Sequence, residues 1–199
     1  MFKFYIVNAK QLDKNEISFL RQERIEKANR FFFEKDRNLS LAAGIALKRA
    51  IEEKDLDYAN IRIGYGENGK PFLLDYPNIH FNLSHTEEYA IAVISDKQIG
   101  CDIEKIRKYD KGVAERCFSR QEIDYVETSS DKDRSFTKVW TYKEGFLKAI
   151  GIGLSDKMKE ITIIPSATSN KIRQNISKKE WNVFDKDFED YLISIVEEK

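Results

Sequence analysis

The sequence predicts an α+β fold built from two similar halves. Segments with helical spacing of apolar residues are followed by segments with strand alternation, and this order occurs twice. Short motifs of the first half also recur about 100 residues later. We therefore expect a pseudo-twofold duplication of a helix-plus-antiparallel-sheet unit, with one half over residues 1–101 and the other over residues 102–199.

In the first half, the spacing of apolar residues changes from helical to strand-like along the chain. Two helical segments come first, one strongly charged and one rich in alanine. Alternating strands follow, and Asn68-Gly69 is the signature of a hairpin turn. The predicted elements are a strand at 2–7, helices at 13–34 and 36–53, and strands at 61–65, 71–74, 79–83, 89–94 and, at the border, 98–104.

The second half repeats this pattern. The segment 112–150 is helical, and strands are predicted at 161–164, 171–176, 181–184 and 191–196. Ile61-Arg-Ile63 matches Ile161-Thr-Ile163, and the strand that begins at Tyr89 matches the strand that begins at Tyr191. No linker rich in Pro, Gly or Ser divides the halves, so we expect them to pack tightly on each other.

Composition narrows the class of protein. The 199 residues carry 34 Lys and Arg against 34 Asp and Glu, so the zero net charge argues against a nucleic-acid coat protein or a polybasic membrane binder. With only two cysteines, the chain fits a protein of the reducing cytosol better than a secreted scaffold held by disulfides. No signal-peptide core or apolar stretch of about 20 residues is present. We expect a soluble cytoplasmic protein without nucleic-acid or membrane partners.

The first group of candidate functional residues lies on a predicted strand. Asp102 and Glu104 are two residues apart and share one face of that strand. Two adjacent carboxylates repel each other, and a hard cation such as Mg²⁺ removes that repulsion. Gly100 would let a ligand or a neighbouring backbone approach closely. The alternative interpretation is an exposed strand end with solvated acids.

The second group lies on a predicted helix. Lys143 falls in the middle of an apolar face, and a buried ammonium needs a carboxylate or phosphate partner. Glu144 and Lys148 are four residues apart, which also fits an ordinary surface ion pair. The alternative is a binding site in which the same helix supplies a third carboxylate and a cation for an anionic ligand.

A third group could meet an anion in the first half. Ser84 and His85 end a strand, but no Gly-x-Ser-x-Gly elbow surrounds Ser84, and two histidines are too few for a His-rich zinc site. His85 could equally be a turn residue. A fourth feature is a set of cations, namely Arg24, Lys27, Arg30 and Arg37, with Lys70 after the hairpin turn. Cations in a charge-rich helix are usually solvated, and they point to a site only if a polyanion binds beside them.

Taken together, these motifs closely resemble the Sfp-type 4′-phosphopantetheinyl transferases. The resemblance runs from about residue 24 to residue 154 with the order and spacing of that family. The residues that carry it are Gly69-Lys70-Pro71, Phe81-Asn82-Leu83-Ser84-His85, Gly100-Cys101-Asp102-Ile103-Glu104, Phe118-Ser119-Arg120-Gln121-Glu122, Trp140-Thr141-Tyr142-Lys143-Glu144-Gly145-Phe146-Leu147-Lys148 and Gly151-Ile152-Gly153-Leu154.

The resemblance implies a reaction and a set of site residues. The family moves the phosphopantetheine arm of coenzyme A onto a serine of an apo acyl or peptidyl carrier protein. By resemblance, Asp102, Glu104 and Glu144 hold Mg²⁺, with Mn²⁺ as an alternative metal. Glu144, Lys148 and Lys143 are the implied catalytic residues. The implied coenzyme A contacts are Arg24, Lys27, Ser40, Lys70, Ser84, His85 and Lys148.

Two departures from the family pattern stand near these residues. Gly145 replaces the usual Ala or Ser, which implies either close packing or a looser helix, since a mid-helix glycine costs about 1 kcal/mol relative to alanine. Cys101 replaces an aliphatic residue and should be benign, because a buried cysteine behaves as a small hydrophobe.

Several alternatives and expectations accompany the transferase interpretation. The same acids could serve a metal-dependent nucleotide phosphohydrolase, or the chain could bind carrier protein or coenzyme A without catalysis. The expected carrier surface lies in the second half and combines Arg116, Phe118, Arg120 and Ile123. We expect a monomer, while the sequence leaves the identity of the carrier open.

Overall fold

The computed structural model describes residues 1–152, 156–166 and 170–199. Its contacts divide the chain into two units, Met1–Lys97 and Gln98–Lys199. The division therefore falls four residues before the position expected from sequence. The expected position after residue 101 lies inside a strand of the second unit, Ile99–Lys105.

The first unit is a three-stranded antiparallel sheet covered by helices. Its strand order is β1-β5-β4, and a separate hairpin joins β2 to β3. Helix α3 packs against β5 and β1 and contacts α2. The elements are β1 (Lys3–Asn8), α1 (Lys14–Ser18), α2 (Gln22–Asn29), α3 (Glu34–Glu52), β2 (Ile63–Tyr65), β3 (Pro71–Leu73), β4 (His80–Thr86) and β5 (Tyr89–Ser95).

Small side chains let α3 lie close to this sheet. Ala42, Ala46 and Ala50 are fully buried, and Ile45 and Leu47 fill the space beside them. Burial of such a stripe, rather than helix propensity alone, stabilises the helix. The predicted helix at 36–53 is thus found with nearly the same ends.

The charged segment 13–34 differs from the expectation. It forms two short helices instead of one helix-rich block, because Arg21 has an extended backbone (φ −61°, ψ 145°) that separates them. The Asp13 side chain accepts a hydrogen bond from Asn15 N and caps the first of these helices.

The second unit has the same plan. Its three-stranded antiparallel sheet has the order β6-β10-β9, a hairpin joins β7 to β8, and α6 packs against β6 and β10. The elements are β6 (Ile99–Lys105), α4 (Lys111–Cys117), α5 (Arg120–Glu127), α6 (Lys132–Ile150), a 3₁₀ helix (Asp156–Glu160), β7 (Thr162–Ile164), β8 (Lys171–Arg173), β9 (Trp181–Phe188) and β10 (Tyr191–Glu198).

Capping residues divide the helical segment of this unit into three helices. Ser119 and Glu122 form a capping box at the start of α5, and the Asp131 side chain caps α6 through Arg134 N. Gly151, with a φ of 73°, ends α6 in the left-handed conformation that glycine adopts most readily.

The two units repeat one order of elements. In each, a first strand precedes a 19-residue helix, a two-stranded hairpin follows, and the last two strands complete the sheet. In each sheet the last strand lies between the first strand and the second-to-last strand. The predicted α+β class with antiparallel sheets is confirmed, and the repeated order supports a duplicated unit.

Both cysteines, Cys101 and Cys117, are free and buried. No helix within the described ranges is both long and apolar enough to cross a bilayer.

Candidate active site

The predicted acidic pair lies on β6, at the edge of the second sheet. Asp102 pairs with Ser194 and Glu104 pairs with Leu192 on the neighbouring strand β10. Asp102 is 3% exposed, whereas Glu104 is partly exposed. Asp102 therefore does not fit the interpretation of a solvated strand end.

Helix α6 lies directly on this strand because glycine occupies position 100. A Cβ atom at Gly100 would overlap the carbonyl oxygen of Gly145 and the backbone of Ala149. At Gly145, a Cβ would lie 2.8 Å from Ser194 Oγ and 3.2 Å from Val196 Cγ2. Of the two explanations for Gly145, the structure therefore favours close packing. The neighbouring backbone, and not a ligand, occupies the space at Gly100.

We expect Gly100→Ala to destabilise the protein by about 2–3 kcal/mol, because the new methyl group meets backbone atoms that cannot rotate away. Urea unfolding monitored by circular dichroism measures this change. Gly112→Ala is a matched control: its Cβ would lie 3.4 Å from Asp110 Oδ1, and alanine favours a helix over glycine. Equal stability of the Gly100→Ala variant and the parent would contradict the close packing.

Glu144 supplies a buried carboxyl group beside the acidic pair. It is 7% exposed, and within the described ranges no hydrogen-bond donor reaches its Oε1 atom. Burial and the negative charge of Asp102, with a smaller contribution from Glu104, raise the pKa of Glu144 to about 7 against the opposing effects of Lys148 and Arg107. Of the other two predicted acids, Asp102 therefore has the larger effect on Glu144.

Lys148 links α6 to the strand. Its Nζ lies 2.6 Å from Asp102 Oδ1, and the side chain keeps 27% exposure. Burial lowers the pKa of Lys148, but the charge and hydrogen bond of Asp102, together with the smaller effects of Cys101 and Glu144, outweigh burial, and the net direction is upward. Because Glu144 is buried and Lys148 meets Asp102, a surface Glu144–Lys148 pair does not describe this helix.

Lys143 is placed apart from these groups. Its side chain is fully buried, and Nζ donates to Glu122 Oε2 (2.6 Å) and to the Ile161 carbonyl (2.5 Å). The carboxylate partner expected for a buried lysine is therefore found in Glu122. Burial lowers the pKa of Lys143 although the Glu122 charge opposes the shift. Its position favours a structural role over the catalytic role implied by resemblance.

The first unit contains a cavity of about 300 Å³ that brings together four of the predicted coenzyme A residues. Arg24, Lys27, Ser40 and His85 line it, and Ser40 Oγ has no hydrogen-bond partner among the described residues. Burial and the neighbouring Arg24 guanidinium lower the pKa of Lys27. Lys70 and Ser84 do not line this cavity, although Gly69 does.

Sequence reasoning missed other residues of this cavity. Phe31, Asp36 and Tyr65 also line it, and Tyr65 remains 63% exposed. Phe31 lies in the connection between α2 and α3, Asp36 lies in the first turn of α3, and Tyr65 ends β2. No regular spacing in the sequence therefore links these three residues. Only the folded first unit brings them together.

The expected carrier surface needs a correction. Phe118 is 1% exposed and packs on Phe136 with ring centroids 5.4 Å apart, so it belongs to the core of the second unit. Ile123 is partly buried against the same core. Arg116 and Arg120 are exposed, and Arg120 forms an ion pair with Asp124 at 3.1 Å. Gly153 and Leu154, the end of the last sequence motif, lie outside the described residues.

The predicted Mg²⁺ site is judged by the side chains that would bind the metal. In the part of the chain that the structure describes, no three His, Cys, Asp or Glu side chains stand together as a ready metal-binding group. The acids nevertheless fit a hard cation by chemistry. They offer carboxylate oxygens, one of them the buried and unpaired Oε1 of Glu144, and Mg²⁺ needs only one or two protein carboxylates besides waters and phosphates.

Comparison with known proteins covers nearly the whole chain. The model of the 4′-phosphopantetheinyl transferase superfamily matches residues 98–196, and the model of the 4′-phosphopantetheinyl transferase N-terminal region matches residues 9–97. These ranges meet where the two structural units divide.

Individual relatives agree with the family match. The chain is 37% identical over 142 residues to the 4′-phosphopantetheinyl transferase ffp of Bacillus subtilis, covering 70% of this chain and 63% of that relative. It is 33% identical over 161 residues to the 4′-phosphopantetheinyl transferase Sfp of Bacillus subtilis strain 168 (78% and 71%). It is 29% identical over 192 residues to the 4′-phosphopantetheinyl transferase gsp of Aneurinibacillus migulanus (92% and 80%).

The chain thus spans just under two thirds of ffp and more than two thirds of Sfp and gsp. The predicted family and enzyme class are confirmed: this chain belongs to the 4′-phosphopantetheinyl transferase superfamily.

Proposed function

We propose that this chain transfers the 4′-phosphopantetheine moiety of coenzyme A to a serine of an apo carrier protein and releases adenosine 3′,5′-bisphosphate. Beyond the family match, the main support is Glu144. It is a buried carboxyl group with a pKa raised to about 7, and it is acted on by the charges of Asp102, Glu104 and Lys148. Such a perturbed group among other charges is typical of a catalytic site.

Asp102, Glu104 and Glu144 are the residues that would hold Mg²⁺. When bound, the cation neutralises the charge of the coenzyme A pyrophosphate oxygens, which otherwise repel an entering nucleophile. The donor chemistry supports this assignment, because a divalent cation would offset the repulsion from Asp102 and Glu104 that adds to the effect of burial on the pKa of Glu144. Mn²⁺, with the same oxygen-ligand preference, is the second candidate.

The chain's own residues have distinct roles in the proposed step. The serine Oγ bonds to the β-phosphorus of coenzyme A, and the bond from that phosphorus to the bridging oxygen breaks. The serine proton passes to Glu144, directly or through a water, because a serine hydroxyl is a weak nucleophile. Lys148 would hold the pyrophosphate, and its charge would favour departure of the bisphosphate.

The nucleotide of coenzyme A is assigned to the first unit. Arg24, Lys27 and His85 would contact its phosphates, including the 3′-phosphate, and the cavity they line supports this assignment. Ser40, with its buried and unpaired Oγ, would donate to the nucleotide. Lys70 and Ser84 remain assigned to the nucleotide through the family motif alone.

Release of adenosine 3′,5′-bisphosphate, followed by chromatography, tests the proposal against a phosphohydrolase. We expect release from coenzyme A and Mg²⁺ only when an apo carrier protein is present, and in equal molar amount to the carrier modified. Release that proceeds equally well without any carrier would identify a hydrolase and contradict the proposal.

The exposed arginines near α5 give a prediction about the carrier. Arg116→Glu combined with Arg120→Glu should raise the KM for carrier at least about tenfold, because carrier proteins are typically acidic and like charges repel. The KM for coenzyme A should stay within about twofold. Steady-state kinetics with each substrate varied in turn measures both constants, and unchanged carrier kinetics would remove this surface from the proposal.

We further propose that the protein acts in the cytoplasm and as a monomer. Size-exclusion chromatography with light scattering tests the second point.

A further inference from the structure

Arg107 is an exposed cation next to the acidic residues that sequence reasoning did not single out. It lies two residues beyond the end of β6, three residues after Glu104. Its guanidinium carbon lies 4.5 Å from the ring centroid of Trp140 and 5.2 Å from that of Phe136. Both distances are typical of cation–π contacts, and arginine also stacks well on indole.

Stacking on Trp140 holds the Arg107 guanidinium close to Glu144. Trp140 precedes Glu144 by four residues on α6, so both side chains lie on the same side of the helix, one turn apart. The backbone of Arg107 is also held, because its N–H donates to Thr137 Oγ1 at 3.1 Å. The guanidinium is close enough to Glu144 to act against the upward shift of its pKa.

Arg107 forms no close ion pair with a carboxylate of the described residues, although its charge reaches Glu144. Across residues 1–152, 156–166 and 170–199, no carboxylate oxygen lies within 4 Å of the Arg107 guanidinium, and the same holds for the exposed Lys108 that follows. Lys148, by contrast, already meets Asp102. Arg107 differs from other exposed cations because its guanidinium is held on Trp140 beside the predicted acidic residues, and this placement favours an external anionic partner.

We propose that Arg107, supported by Trp140 and joined by Lys108, is a docking residue for an acidic side chain of the carrier protein. This inference rests on the proposed function, since it names the contact made by the macromolecular substrate. The acceptor serine arrives on a folded protein, which must approach along the exposed surface. An exposed arginine that stacks on Trp140, one helical turn from Glu144, can therefore pair with a carboxylate of the carrier while the serine enters the site. The buried Phe118 cannot provide such a contact.

Steady-state kinetics with an apo acyl carrier protein, repeated with an apo peptidyl carrier protein, tests this assignment. We expect Arg107→Ala to raise the KM for carrier about tenfold or more, with kcat and the KM for coenzyme A within about twofold of the parent. Arg107→Lys should recover only part of the affinity, because lysine keeps the charge but not the planar stack. Arg173→Ala, at an exposed arginine of β8, serves as the control and should leave all constants unchanged.

A charge exchange separates docking from a merely structural role. Arg107→Glu should be poor with the parent carrier and should improve at least about fivefold with one of a set of carrier variants that each reverse a single surface acid to lysine. Three results would overturn the inference: an unchanged KM for carrier, a rise confined to the KM for coenzyme A, which would assign Arg107 to the phosphates, or a fall in kcat alone. Absence of transfer by the parent protein would instead overturn the proposed function, and the docking assignment with it.

Discussion

Replacing Glu144 with glutamine is expected to lower kcat for phosphopantetheine transfer by about 10²–10³-fold, equivalent to about 3–4 kcal/mol in the transition state. Glutamine has nearly the same shape as glutamate but neither accepts the serine proton nor offers a charged oxygen to a metal. Single-turnover measurement of carrier modification, with both substrates saturating, isolates this step from product release.

Loss of activity in this variant should not come from loss of folding. The pKa of Glu144 is raised from its ordinary value of 4.5 to about 7, so ionising this carboxyl costs folding free energy as the pH rises through that window. Glutamine lacks this cost, and the melting temperature at pH 8 should equal or exceed that of the parent. Glu180→Gln, at a carboxylate that is 78% exposed, is the matched control and should retain full activity. Retention of more than a third of the activity by Glu144→Gln would contradict the assigned role.

Replacing Lys143 with methionine is expected to destabilise the protein by about 3–5 kcal/mol. The substitution keeps most of the side-chain volume but leaves the fully buried Glu122 without its cation, and an uncompensated buried charge is costly. The Glu122 carboxylate also accepts hydrogen bonds from Ser119 N (2.7 Å) and Ile163 N (2.8 Å), so its protonation or displacement would disturb α5 and β7 as well.

A double variant tests whether charge is the cause. Lys143→Met combined with Glu122→Gln removes both charges while the glutamine oxygen can still accept a backbone hydrogen bond. We expect this variant to recover at least about 1 kcal/mol relative to Lys143→Met alone, as measured by urea unfolding. Full stability of the single variant would contradict the buried-pair account. A single variant that folds stably yet loses transfer would restore a catalytic role for Lys143.

Much of the fold could be predicted because local patterns agree with it. The alanine-rich helix, the Asn68-Gly69 hairpin and the alternating strands each have a local cause that tertiary packing does not override. The division of 112–150 into three helices was not predicted. It depends on the Ser119 and Asp131 caps, which lie within a segment whose apolar spacing is otherwise continuous.

The site was predictable where short motifs place residues on one strand or one helix. Asp102 and Glu104 share a strand face, and Glu144 faces them from α6, so the acidic residues follow from motif and geometry together. The partner of Lys143 could not be predicted, because Glu122 lies on another helix. The burial of Phe118 was missed for a similar reason. A helix-flanking aromatic with neighbouring arginines resembles a surface patch until the ring of Phe136 is placed against it.

The role of Arg107 was likewise invisible in sequence. An arginine after a strand has no distinctive spacing relative to Trp140, which is 33 residues further along. Its contact with the helix depends on the close approach of β6 and α6 at Gly100 and Gly145.

Intact mass spectrometry of an apo acyl carrier protein incubated with this chain, coenzyme A and Mg²⁺ tests the central claim most directly. We expect the carrier to gain the mass of one phosphopantetheine, and the gain to disappear with EDTA and with Glu144→Gln. An unmodified carrier, across both acyl and peptidyl types and with folded protein, would contradict the transferase assignment.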